Sequence, residues 1–325
     1  MTDIALIRAA ATRMAGFVRE TPILSSPLLD RIAGRRVLVK AECLQVTGSF
    51  KARGAWAALS SLPDAVRARG VIAYSSGNHA QGVALAAARH GVPAVIVMPA
   101  DAPAVKIANT RAYGAEVILY DRATEDRDAI GAALVAERGL TLVRPYDDAQ
   151  VIAGQGSVGL EIARQAKALG IAQGAVVACC GGGGLSAGIA LALQAEAPDL
   201  RLHTAEPEGF DDMARSLAAG QSLRNARLSG SICDAILTPQ PGELTFPILQ
   251  RLAGRGLVVT DEQALRAVAL AFHHLRIVLE PGGAVALAAA LSDPDLPETV
   301  IAVATGGNTD PATFRAALDR FGDST

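Results

Sequence analysis

The sequence carries almost no net charge and no long basic run: 30 Lys and Arg stand against 32 Asp and Glu, leaving −2. A nucleic-acid binder rests on neutralising phosphates with cations, so that class is excluded. Charged residues make up only 19% and hydrophobic ones 50%, the opposite of a disordered chain. Aromatics are few, at 4%, so Ala, Val, Leu and Ile carry the core. Cysteine is sparse as well. Cys43, Cys179, Cys180 and Cys233 contain no Cys-x-x-Cys spacing, which argues against a zinc ribbon, and the adjacent pair is poorly placed to bridge itself. They read as reduced, half-buried thiols of a cytoplasmic protein. The N-terminus lacks the apolar centre of a signal peptide. The longest uncharged stretch, between Lys167 and Glu196, has the length to span a bilayer, but Gly174 and the run 181–184 interrupt it. It reads as strand, loop and helix, with no membrane involvement. No repeat, low-complexity tract or obvious linker is present.

What is there alternates. Short β-branched runs at 37–40, 71–74, 94–98, 116–119, 141–143, 175–179, 202–205, 257–259 and 300–303 read as strands. Ala-rich stretches between them read as helices, among them 80–90, 105–113, 153–169 and 262–276. Strands separated by helices predict βαβ units and a mostly parallel sheet. The length of 325 residues suggests about two domains. In such sheets ligands bind outside the carboxyl ends of strands, so segments just after strands carry the functional information.

Three such segments stand out. Ser75-Ser76-Gly77-Asn78-His79 places two hydroxyls, an amide and an imidazole at a helix start, a donor cluster for a carboxylate or phosphate. Its bland alternative is a simple helix cap. Gly181, Gly182, Gly183 and Gly184, followed by Leu185, let backbone amides converge on an anion at the next helix start. The same loop also fits a loose dinucleotide fingerprint, Gly182-x-Gly184-x-x-Ala187 with Glu206 downstream. That leaves a nucleotide-binding oxidoreductase as a distant alternative. Thr305-Gly306-Gly307-Asn308 follows the last strand and serves equally as a turn or a ligand contact.

Ahead of these lies Ser49-Phe50-Lys51-Ala52-Arg53-Gly54-Ala55. A lysine between an aromatic residue and a small-residue helix start suits an amine that must be neutral to react. With Ser75–His79, the glycine run, Val151-Ile152-Ala153-Gly154-Gln155-Gly156, Glu206-Pro207, Glu280-Pro281-Gly282-Gly283-Ala284 and Thr305–Asn308, it resembles the fold-type II pyridoxal-phosphate (PLP) enzymes. The likeness runs from about Thr21 to the C-terminus and is strongest to the threonine/serine dehydratase and serine racemase branch.

The resemblance implies an α/β architecture like the tryptophan synthase β chain: two open, twisted, mostly parallel sheets flanked by helices, with the cofactor between domains. It implies a large PLP-binding domain of residues 1–69 and 144–325 and a small mobile domain of 70–143. Lys51 is then the Schiff-base lysine and general base, Gly181–Gly184 and Leu185 the phosphate cradle, and Phe50 a ring neighbour. Asn78 meets the ring hydroxyl, Thr305 the pyridine nitrogen, and Ser75, Ser76, Asn78 and His79 the substrate carboxylate. Ser76 matches the racemase's second acid/base. A neutral hydroxyl at the ring nitrogen makes a weaker electron sink than an Asp partner, which favours expulsion of a β-hydroxyl over transamination.

The implied reaction is dehydration and deamination of a 3-hydroxy amino acid such as L-threonine or L-serine. Alternatives within the family are a 3-hydroxyaspartate dehydratase, a hydroxyectoine-utilisation dehydratase and a serine racemase. Tyr146 stands where dehydratases usually show Phe and racemases Asn, which tilts the reading to dehydratase. Arg127 or Arg144 would supply the cation for a second substrate carboxylate, against a bland reading as surface charge. Glu206, the Phe210 carbonyl and Asp212 resemble the racemase-branch site for a divalent cation, Mg²⁺ by its hard oxygen donors; the bland reading is an acidic helix start. A homodimer acting on a small amino acid is implied by the family.

Overall fold

The computed structural model describes residues 2–322. Ten strands form two sheets: β1 (Ile23–Ser25), β2 (Arg36–Lys40), β3 (Val71–Tyr74), β4 (Ala94–Pro99), β5 (Glu116–Tyr120), β6 (Thr141–Leu142), β7 (Gly174–Cys179), β8 (Leu200–Pro207), β9 (Gly256–Val259) and β10 (Thr299–Val303). The larger sheet has the order β1-β2-β10-β7-β8-β9 and the smaller β5-β4-β3-β6. Every pairing is parallel except β1 with β2. All strands of the smaller sheet fall between residues 70 and 143. The α/β class and the two mostly parallel sheets read from the sequence are what is found.

Boundaries shifted where capping chemistry decides them. The helix expected over 153–169 runs Ala149–Ala168, because the Asp148 carboxylate accepts from the Gln150 and Val151 amides. The helix Asp261–Leu275 opens on a Thr260–Gln263 capping box. β1 was not expected: three residues with no apolar alternation give no strand signal. The uncharged stretch after Lys167 resolves into β7, the glycine loop and the helix Gly184–Glu196. No helix among the described residues is long and apolar enough to cross a membrane.

The small side chains permit close helix packing. At Gly188 a Cβ would lie 2.5 Å from the Ile152 carbonyl, so this crossing of the helices Gly184–Glu196 and Ala149–Ala168 requires glycine. A third helix, Lys51–Ser61, is fastened from below by fully buried Arg53. Its guanidinium donates to Glu42 at 2.8 Å and to Glu161 at 2.7 Å, and Lys40 donates to Glu161 at 2.5 Å. Burial opposes the Glu42 charge, but Arg53 and Lys40 outweigh it and hold the carboxyl below its ordinary value. Two acids meet two bases, so the buried cluster is electrically closed. It fixes the helix whose first residue is Lys51.

Candidate active site

A cavity of about 690 Å³ opens at the carboxyl ends of β3, β7 and β10. It is lined by both sheet units, with Tyr74, Cys179 and Thr305 marking the three strand ends. Parallel sheets put ligands at this edge because loops and helix N-termini converge there.

Lys51 enters at the first turn of its helix. Its Nζ donates to the Pro145 carbonyl at 2.8 Å and lies 5.1 Å from the Phe50 ring centre. Burial, opposed only by the neighbouring Cys179, pushes the amine down to about 8. No carboxylate pairs with it, so the neutral form is accessible near neutral pH.

The glycine loop faces Lys51 across the cavity. A Cβ at Gly182 would meet the Tyr146 ring at 2.2 Å, and Gly183 sits at φ +92, which L side chains rarely adopt. Among the described residues, none of the amides of Gly181, Gly182, Gly183, Gly184 and Leu185 has an acceptor within the protein. Five free donors at the start of the helix Gly184–Glu196 suit a phosphate dianion. The groups present therefore fit PLP: a reactive amine, an anion cradle and a cavity wide enough for the ring.

The donor segment lies between. Ser75, Ser76, Asn78 and His79 all line the cavity. The helix Asn78–His90 starts without a side-chain cap, so the bland capping role is absent. Ser75 Oγ instead accepts from the Gly77 amide at 3.1 Å. Asn78 is held on both sides, accepting from Asn308 at 2.8 Å and donating to Glu280. His79 is the buried side chain among these four. Its Nε2 lies 2.9 Å from the Val143 carbonyl, which can only accept, so Nε2 carries the proton. Burial and then the Lys51 charge push the ring down to about 3. The imidazole stays neutral, its free Nδ1 can only accept, and its side chain cannot donate to a substrate carboxylate.

Thr305 is buried, with its hydroxyl 3.1 Å from Cys179 Sγ. Its carbonyl accepts from the Phe50 amide at 3.1 Å, tying this wall to Lys51. Sequence reasoning missed Lys106. It is a buried cavity lysine that donates to Glu280 at 3.1 Å and lies 3.6 Å from Asp234. Glu280 itself sits 202 residues from Asn78, a separation no local pattern reveals.

Glu206 in β8 and Asp212 at the start of the helix Asp212–Ala219 are not among the residues that line the cavity. Both carboxylates are buried. Glu206 accepts from the Met213 and Ala214 amides at 2.9 and 2.7 Å. The acidic-helix-start reading is thus real. It also removes Glu206 from any ribose-binding role, and with it the dinucleotide fingerprint. Asp212 Oδ1 accepts from Asn225 at 2.6 Å, while Oδ2 is buried without a partner. The Phe210 carbonyl also accepts nothing among the described residues. Burial raises both acids, Asp212 to about 7, and the Asp212 charge adds to the rise of Glu206. Among the described residues no three His, Cys, Asp or Glu side chains converge on a metal position. The unpartnered oxygens of Asp212 and Phe210, beside Glu206, still fit a hard cation completed by water.

Comparison with known proteins agrees with this chemistry. Residues 14–306 match the family described as "Pyridoxal-phosphate dependent enzyme". The chain is 42% identical over 311 residues to L-threo-3-hydroxyaspartate ammonia-lyase of Pseudomonas sp, covering 95% of this chain and 96% of that protein. It is 40% identical to serine racemase of Oryza sativa subsp. indica, over 90% of this chain and 84% of the relative. Among solved structures, the threonine deaminase of T.th. superposes with a TM-score of 0.90 at 46% identity, covering 95% of this chain and 99% of that one. A lysine amine without a counter-ion, a phosphate cradle and this likeness along nearly the whole length agree: the chain belongs to the fold-type II branch of the pyridoxal-phosphate dependent enzymes.

Proposed function

We propose that the chain catalyses the PLP-dependent β-elimination of a 3-hydroxy amino acid, releasing ammonia and a 2-oxo acid. The observation that carries this reading is the single cavity shared by the Lys51 amine, the glycine-loop amides and the Ser75–His79 segment. PLP, when bound, engages the substrate amine and draws electrons from its α-carbon. The amides of Gly181–Leu185 would hold the phosphate, Phe50 would pack near the ring, Asn78 would bond the ring hydroxyl and Thr305 would meet the ring nitrogen. Lys51 Nζ, neutral because it is desolvated, takes the α-proton. The electron pair left at the α-carbon forms the α–β double bond as the β-hydroxyl departs with a proton as water. Ser75, Ser76 and Asn78 orient the substrate carboxylate, and Ser76 is the residue we assign to any proton exchange at the other face.

The substrate we favour is 3-hydroxyaspartate over threonine or serine. Arg127 and Arg144, read from the sequence as this cation or as surface charge, are exposed and both line the cavity, where a second carboxylate needs a cation. Relatives at 42% and 39% identity are L-threo-3-hydroxyaspartate ammonia-lyases. Assay of ammonia and 2-oxo acid release from the 3-hydroxyaspartate isomers, L-threonine and L-serine decides it. Arg127→Ala and Arg144→Ala should raise KM for the diacid and leave the mono-acids unchanged. Preference for L-threonine in the parent protein would reject the diacid reading and keep the reaction. D-serine formed in the same panel reports racemisation through Ser76.

We further propose that Glu206, the Phe210 carbonyl and Asp212 bind Mg²⁺. Ligand at about 100 times its Kd stabilises by about 2.7 kcal/mol, so Mg²⁺ should raise Tm and Glu206→Gln should abolish the rise. An unchanged Tm would reject the site. The reading also includes a homodimer, closure of residues 70–143 over the cavity, and a cytoplasmic location, the last in keeping with four unpaired buried thiols. Light scattering tests the dimer.

A further inference from the structure

One side chain in the cavity has no part in the scheme above: Cys179. It ends β7, one residue before the loop that leads into the glycine run, and both it and Thr305 line the cavity. Its Sγ is 3.1 Å from Thr305 Oγ1, and among the described residues this is the hydrogen bond that the Thr305 hydroxyl makes. The rest of Thr305 is fixed. Its amide donates to Gly283 at 3.2 Å and its carbonyl accepts from Phe50 at 3.1 Å. The remaining freedom is the direction of one hydroxyl proton.

A hydroxyl has one proton and two lone pairs. If Cys179 accepts, the Thr305 proton is spent on sulfur, and the cavity sees a lone pair that favours a protonated ring nitrogen. If Cys179 donates, the Thr305 proton is free to point into the cavity, and the ring nitrogen is held unprotonated. A thiolate can only accept, whereas a thiol has a proton to donate and a sulfur that accepts weakly. Burial pushes the Cys179 thiol up to about 11, so the thiol form persists at all ordinary pH.

We propose that Cys179 is a positioning residue: its S–H donates to Thr305 Oγ1 and turns the threonine proton toward the ring nitrogen of bound PLP. This rests on the reading that Thr305 faces that nitrogen. The consequence is a weak electron sink, set by a relay of two side chains, which suits rapid loss of a β-hydroxyl over long-lived carbanion chemistry.

The test has one readout without cofactor and one with it. In the apoprotein, an infrared difference spectrum of parent minus Cys179→Ala isolates one S–H stretch. It should be red-shifted by donation and should return toward the free value in Thr305→Val. In protein loaded with PLP labelled at the ring nitrogen, nitrogen NMR should read an unprotonated ring. Cys179→Ala should move the signal toward the protonated value, and Cys179→Ser, which keeps a donor, should restore it. An S–H stretch indifferent to Thr305→Val overturns the proposal, as does a ring signal identical in Cys179→Ala and the parent. If Thr305→Val moves the ring signal and Cys179→Ala does not, Cys179 loses its role and Thr305 keeps its own. If Thr305→Val leaves the ring signal in place, both assignments fall.

Discussion

Two lysines reach into the same cavity from opposite units, and their surroundings differ. Lys51 has a carbonyl and an aromatic face for company, and burial pushes its amine down to about 8. Lys106 is buried too, but Glu280 and Asp234 outweigh burial and hold its ammonium above the usual range. One lysine is kept ready to lose its proton and the other is kept charged. Desolvation alone therefore does not make a nucleophile; desolvation without a counter-ion does. The same contrast divides the buried acids. Glu42 and Glu161 are closed by Arg53 and Lys40. Glu206 and Asp212 have amide donors and no cation, and burial raises both.

The lysine contrast can be broken in stages. The largest effect belongs to Lys51→Ala, which should reduce ammonia release to background while leaving the fold intact by circular dichroism. Undiminished turnover would remove Lys51 from the chemistry. Next is Glu280→Gln, which strips Lys106 of its buried partner. Breaking such a pair costs about 3–5 kcal/mol in denaturant unfolding. A loss under about 1 kcal/mol would mean the pair is solvated.

A smaller effect sharpens the comparison through pH. An amine captures an aldehyde only when neutral, so covalent PLP capture by the apoprotein should rise about tenfold per pH unit and level off near 8, well short of the ordinary 10.5. Between those values the folded chain holds fewer protons at Lys51 than the unfolded chain does. Its contribution to apoprotein stability therefore rises with pH across that window. A plateau only above 10 would contradict the desolvated amine. The smallest effect is Asp234→Asn. This carboxylate is 46% exposed and 3.6 Å from Lys106, so its loss should cost no more than about 1 kcal/mol.

Much of the site was legible because its parts are contiguous. Ser75–His79 and the glycine run each follow a strand directly, Lys51 opens a helix two short turns after β2, and local composition marks all three. All strands but β1 were legible from β-branched runs, and the largest helix shift came where Asp148 supplied a cap. Glu280 stood out within its motif, but Lys106 and its pairing with Glu280 were not legible, since the pair spans 174 residues and a buried lysine leaves no periodic signal. His79 was half legible. Its type and place were evident, but its tautomer depends on Val143, 64 residues away. The Glu206 segment was ambiguous for a physical reason, because an acid that caps a helix and an acid that binds a cation look alike in sequence.

The most direct measurement is borohydride reduction of the PLP-loaded protein, followed by digestion and mass mapping of the pyridoxyl label. The account predicts label on Lys51 alone, with Lys106 unmodified in the same peptide map. Label on Lys106, or on no lysine of the cavity, would contradict it.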